Sequence, residues 1–147
     1  MRIALGSDHR GVKLKAALIE FLGGRDIAGV DCGPPTEDSC DYPDYAAAVA
    51  DKVQAGEVDL GIVICGSGIG ISMAANKCRG IRAALAYNAE VAAFARKHNN
   101  ANVLALGADW TSEDEARERV AAWLDAEFEG GRHGRRVDKL DALLGRG

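Results

Sequence analysis

The sequence predicts an α/β fold: a three-layer, Rossmann-like arrangement of a five-stranded, mainly parallel sheet with helices on both faces, plus a C-terminal helical tail. Three observations lead there. Short β-branched or aliphatic runs alternate with longer amphipathic stretches, the rhythm of strands joined by crossover helices. Each strand candidate closes on glycine or a polar residue. The 147 residues suit a single domain that buries its own core without a metal or disulfide staple.

Strands are expected at Arg2–Gly6, Asp26–Asp31, Leu60–Cys65, Arg82–Leu85 and Val103–Leu106. Helices fit at Val12–Leu22, Tyr45–Ala55, Ile69–Asn76, Ala89–His98, Ser112–Phe128 and Val137–Leu144. Thr111-Ser112 followed by Glu113-Asp114-Glu115 places a cap and acidic residues where a helix N-terminus favours them. Segment Cys32–Asp44 holds all three prolines and reads as a surface loop and candidate lid. Gly130-Gly131 marks a hinge into a basic tail, about residues 129–147, expected to pack on a partner subunit or fold over a site.

Composition narrows the function. The chain is 48% hydrophobic and 27% charged, with a net charge of −4, so no general basic field draws it to nucleic acid. No apolar run is long enough to span a bilayer. Met1–Gly6 turns polar after four apolar or small residues and lacks the core of a signal peptide, so a cytoplasmic location is expected. Cys32, Cys40, Cys65 and Cys78 form no C-x-x-C pair and no zinc-spaced ladder, which disfavours a structural metal or a disulfide framework.

In an open α/β sheet, ligands bind beyond the carboxyl ends of the strands. Two clusters fall there: Ser7-Asp8-His9 after the first strand and Cys65-Gly66-Ser67-Gly68-Ile69-Gly70 after the third. Glycines at 66, 68 and 70 let the backbone turn tightly and aim several N–H groups at one point beside a helix N-terminus, a nest suited to an anion. The stretch lacks the Gly-Lys-Ser/Thr of a P-loop, and a ligand-free glycine turn is the plain alternative. Cys65 at its edge is favoured as thiolate and could abstract a proton, while the amides stabilise charge developing on oxygen. Cys32, Cys40 and Cys78 read as small buried hydrophobes. The three histidines, His9, His98 and His133, all sit in polar settings suited to proton transfer near neutral pH. Asp8 reads either as a simple N-cap or as a site residue. Arg132 and Arg136, four apart, could share a helical face and grip a phosphate, or belong to a solvated basic tail.

Several motifs in order then resemble the type B ribose-5-phosphate isomerases and the related galactose-6-phosphate isomerase subunits. They are Gly6-Ser7-Asp8-His9-Arg10-Gly11, Asp41-Tyr42-Pro43-Asp44-Tyr45-Ala46, Ile64-Cys65-Gly66-Ser67-Gly68-Ile69-Gly70-Ile71-Ser72, Ala74-Ala75-Asn76-Lys77, Gly80-Ile81-Arg82-Ala83, His98-Asn99-Asn100-Ala101-Asn102-Val103 and Glu129-Gly130-Gly131-Arg132-His133. The match spans nearly the whole chain. The resemblance implies interconversion of ribose 5-phosphate and ribulose 5-phosphate through a cis-enediolate, with no metal or organic cofactor. Cys65 looks like the base that carries the proton between C2 and C1; a second branch of the family has a glutamate where Ile71 stands here. His98 looks like the acid that opens the furanose ring, Asp8 its helper at the C1 hydroxyl, and Ser67 a shuttle between the two oxygens. Gly66, Gly68, Ile69 and Gly70 lend the anion hole, His9, Arg132 and Arg136 match phosphate-side positions, Asn99 a hydroxyl contact and Tyr42 a wall. One departure is Gly107-Ala108-Asp109, where the family commonly has Gly-x-Arg with the arginine on the phosphate.

The alternatives are another sugar phosphate, such as allose or galactose 6-phosphate or a tetrose phosphate, and a non-catalytic domain that binds a phosphorylated metabolite. A redox role for Cys65 is disfavoured, since no partner cysteine is near in sequence. His98 ends the helix before the fifth strand, so it should lie at the sheet edge opposite Cys65. A site shared between subunits follows as an expectation, with a homodimer as the smallest active unit and a homotetramer as a further possibility. The expected partners are thus a phosphorylated sugar and a second copy of the chain, with neither nucleic acid nor membrane.

Overall fold

The structure, a computed structural model, describes residues 1–143; Leu144, the last residue of the final expected helix, lies outside the described residues. Strands β1 (Arg2–Ser7), β2 (Ala28–Asp31), β3 (Leu60–Cys65), β4 (Ala83–Leu85) and β5 (Val103–Gly107) form one sheet in the order β2-β1-β3-β5-β4. Every pairing is parallel. Helices α1 (Val12–Gly23), α2 (Tyr42–Gln54), α3 (Ile69–Ala75), α4 (Ala89–Asn99), α5 (Glu113–Asp125) and α6 (Arg132–Ala142) complete it. No helix among the described residues is long and apolar enough to cross a membrane.

The side-chain period of two along each strand sorts the core into two layers. Ile3, Leu5, Ile62, Ile64, Leu104 and Leu106 point to one face and pack with Leu14, Leu18 and Leu22 of α1 and with Val120 and Trp123 of α5. Ala4, Val63, Cys65, Val103 and Ala105 point to the other and meet Val49 and Ala50 of α2 and Ile71 and Ala75 of α3. Both faces are covered, which is why the central strands read as continuous apolar runs.

The chain steps outward from β1 to β2 through α1, then returns through α2 on the opposite face to β3 on the other side of β1. The crevice beyond the carboxyl ends of β1 and β3 is therefore the switch point of this sheet, the place where such folds bind ligands.

Several boundaries shift by a single residue, and four larger shifts have a clear local reason. Asp26 has φ 57°, so the chain is still turning there and β2 starts at Ala28. Helix α2 starts at Tyr42 rather than Tyr45, because Pro43 in its first turn preorganises a helical φ and has no N–H to lose. The loop is thereby shortened to residues 32–41. Helix α5 ends at Asp125, with Ala126 already extended. Helix α6 starts at Arg132, not Val137, directly after Gly130 and Gly131, both at positive φ.

The expected cap of α5 is present as a reciprocal pair. Ser112 Oγ accepts from the Glu115 N–H at 3.1 Å, and the Glu115 carboxylate accepts from the Ser112 N–H at 2.8 Å. These bonds hold the Glu115 carboxyl below its ordinary range. The tail helix α6 lies against α4 of its own chain, tied by Arg82 to Asp141 at 3.0 Å and by the Glu129 N–H to the Lys97 carbonyl at 3.0 Å.

Candidate active site

An open cleft of about 500 Å³ lies at the switch point, lined by Asp8, Arg10, Tyr42, Cys65, Gly66, Ser67, Ile69, Gly70, Asp109 and Trp110. The loops after β1, β3 and β5 and the first residue of α2 build it. Cys65, the last residue of β3, is 4% exposed, and its Sγ accepts the Gly68 N–H at 3.1 Å. That bond aims a main-chain donor at the sulfur and fixes its place at the start of the turn. The Ile69 N–H is likewise turned onto Ser67 Oγ at 3.2 Å. Two of the amides expected to face an oxyanion thus organise the loop's own side chains.

Gly68 supplies this geometry through φ 78°, a region that L side chains adopt only with strain. A Cβ there would lie 2.6 Å from Leu85 Cδ1 and 2.9 Å from the Leu106 carbonyl carbon. The Leu85 tip can move, but backbone cannot. Gly68→Ala is therefore expected to cost about 1–3 kcal/mol in strain and to pull the N–H away from Cys65, visible as a lower Tm with lower turnover. An unchanged Tm and full activity would contradict this account of the turn. Gly70 has a different reason: a Cβ would sit 2.7 Å from Cζ of Tyr42, so the tyrosine ring lies directly on the nest.

Asp8 caps the 3-10 turn His9–Gly11 by accepting the Arg10 N–H at 2.9 Å. It is also buried and lines the cleft, so the capping role and the site role coexist. His9 Nδ1 accepts the Cys40 N–H at 3.3 Å, fastening the 32–41 loop beside the site. Buried Lys15 anchors the same loop through Asp31 at 2.7 Å and the Pro34 carbonyl at 2.9 Å. Burial pushes the thiols of Cys32 and Cys78 up, in keeping with the reading of both as packing residues.

The remaining expected residues are elsewhere. His98, Asn99 and Arg136 line a separate depression with His133, Val137 and Leu140, which shares no residue with the Cys65 cleft. His98 is in the last turn of α4, which leads to the amino end of β5, whereas Cys65 ends β3 at the carboxyl edge. Arg132 and Arg136 do lie one helical turn apart on α6. Phe94, His98 and His133 stack face to face, with His98 and His133 centroids 4.3 Å apart at 8°. Burial first, then the neighbouring His98 and Arg132, hold the His133 imidazole below its ordinary range. One ligand atom each from His98, Glu129 and His133 lies within 4.8 Å of the others. With the two imidazoles parallel, their lone pairs run side by side instead of converging, a geometry for stacking and not for a metal.

Sequence reasoning missed Arg10 and Trp110 at the cleft and Phe94 and Glu129 beside His98. Arg10 was within reach, being the next residue after Asp8-His9. Asp109, recognised only as a departure, is ion-paired to Arg10 across the cleft mouth.

A parallel five-stranded sheet with a glycine nest at its switch point is the architecture of a small-ligand-binding α/β domain, and comparison with known proteins narrows it to one group. The family model for ribose/galactose isomerases matches residues 3–140, so the chain belongs to the ribose/galactose isomerase family. It is 45% identical over 142 residues to ribose-5-phosphate isomerase B of Escherichia coli, covering 97% of this chain and 95% of that one. The solved structure of Clostridium thermocellum ribose-5-phosphate isomerase B is similar at TM-score 0.98 and 48% identity, covering 99% of both chains. That of the Mycoplasma genitalium ribose-5-phosphate isomerase B with bound ribulose-5-phosphate is similar at TM-score 0.94 and 44% identity, covering 99% of this chain and 97% of that one.

Proposed function

We propose that this chain is an aldose–ketose isomerase that interconverts ribose 5-phosphate and ribulose 5-phosphate, with Cys65 as the base. The observation that carries the mechanism is the Cys65 sulfur, set in the switch-point cleft with the Gly68 N–H 3.1 Å away. Its thiolate removes the proton from C2 of the open-chain aldose. The electrons move into the C1–C2 bond and the carbonyl oxygen takes the charge, giving an enediolate beside the Gly66–Gly70 turn. Returning the same proton to C1 yields the ketose. Ser67, on the same turn, transfers the hydroxyl proton between the two oxygens, and Asp8 orients the C1 oxygen. Tyr42 forms the wall that keeps the sugar against the nest.

Ring opening needs an acid at the ring oxygen, and His98 takes this role from a second copy of the chain, together with Asn99 at a hydroxyl and Arg132 and Arg136 at the phosphate. Two features support a shared site. Within one chain the His98 depression and the Cys65 cleft lie at opposite sheet edges. The rim of the cleft also carries apolar side chains that one chain leaves bare, Ile69 at 50% and Trp110 at 80% exposure, the kind of surface a subunit interface covers.

The test is a panel of pentose, hexose and tetrose phosphates assayed for interconversion. Ribose 5-phosphate is expected to give the highest kcat/KM. A higher value for a six-carbon or four-carbon sugar phosphate would reassign the substrate while keeping the reaction, and no turnover of any would remove the enzyme reading.

A further inference from the structure

We propose that Arg10 is the cation this chain itself brings to the substrate phosphate, with Asp109 as the positioning residue that aims it. The inference rests on the isomerase reading above and names which residue of the cleft selects a phosphorylated sugar. Among the residues lining the cleft, Asp8 and Asp109 are carboxylates and Arg10 is the single cation. A phosphate dianion entering beside two carboxylates needs that charge, because like charges at contact distance repel strongly where water is displaced.

The placement fits the role. Arg10 is fixed at its base by the Asp8 cap at 2.9 Å, and Asp109 by its own N–H to the Gly66 carbonyl at 3.0 Å. A Cβ on Gly66 would be 2.9 Å from both Arg10 Cδ and Asp109 Oδ2, so the pair closes over the first residue of the nest, next to Cys65. Arg10 Nη1 donates to Asp109, which spends one of the five guanidinium N–H donors. The arginine side chain remains 58% exposed, so the rest of the fork is open to a ligand and can meet a phosphate bidentately. An ion pair this exposed contributes little to folding stability. Its consequence is orientation: without Asp109 the long side chain would sample many rotamers at the cleft mouth.

The test uses Arg10→Met, which keeps the aliphatic stem, assayed on ribose 5-phosphate and titrated with inorganic phosphate. KM and the phosphate dissociation constant are both expected to rise by about 10- to 100-fold, with kcat held within about threefold. Arg10→Met/Asp109→Arg returns the cation from the other loop and is expected to recover most of the lost phosphate affinity. Arg10→Lys, which keeps charge without the fork, should fall between parent and Arg10→Met, and it carries the test should the methionine variant fold poorly. Phosphate binding by Arg10→Met as tight as the parent's, or a loss confined to kcat, overturns the proposal. Phosphate binding that depends on Arg10 in a protein that turns over no sugar phosphate would instead sink the isomerase reading and leave this one standing.

Discussion

Cys65→Ala is expected to lower kcat on ribose 5-phosphate by about 10²- to 10⁴-fold, with KM changed only a few-fold. In the proposed mechanism the sulfur lifts the carbon-bound proton, and no other thiol lines the cleft. Its loss removes an interaction made in the transition state, so kcat and kcat/KM should fall together. Cys65 is buried and adjoins the α2/α3 side of the core, but alanine is already common in that layer and leaves only a small void. The variant should therefore fold, and thermal melting verifies that. Cys65→Ser separates shape from chemistry: the hydroxyl occupies nearly the same volume and can accept the Gly68 N–H, yet is a poor base at neutral pH. It should be as inactive as alanine. The direct readout is exchange of the C2 hydrogen with deuterated solvent, followed by NMR. Wild-type exchange rates in either variant would show that another group is the base.

Mixing two inactive proteins should restore activity if the site is built from two chains. Cys65→Ala retains His98, and His98→Ala retains Cys65, each expected to lose about 10²-fold or more alone. In a heterodimer one cleft carries both substitutions and the other carries neither. With random reassortment half the dimers are mixed and half their sites intact, so about a quarter of wild-type activity should return. The mixture must be unfolded and refolded together, because preformed dimers need not exchange subunits. Activity no higher than the sum of the two variants, with mixed dimers confirmed by native mass spectrometry, would mean that His98 does not act on a partner's cleft. The geometry within one chain makes the outcome informative, since His98 stacks between Phe94 and His133 on the far edge of the sheet.

Much of the fold was legible in the chain. The strands after Arg2, Leu60 and Val103 were found nearly to the residue, because a buried parallel strand must be a short continuous apolar run. The boundaries that moved were set by single residues whose backbone conformation has no strong sequence signal. Asp26 at positive φ delayed β2, and Pro43 drew Tyr42 into α2. The early start of α6 has the same character, since arginines 132, 135 and 136 say little about helix or coil until Gly130 and Gly131 redirect the chain.

By itself, the sequence determined the parallel α/β class, the glycine turn after Cys65 and the membership of that turn in a sugar-phosphate isomerase motif. These are local matters: alternation of apolar runs, the need for φ above zero at Gly68, a cysteine at a strand end. Tertiary structure alone decided which of the candidate residues meet. It set Cys65, Asp8, Ser67 and Tyr42 in one cleft and His98, Asn99 and Arg136 in another, and it paired Arg10 with Asp109 across 99 positions of chain. The order of strands in the sheet sets which loops share an edge, and that order is fixed by long-range packing of both helix layers, which no window of neighbouring residues encodes.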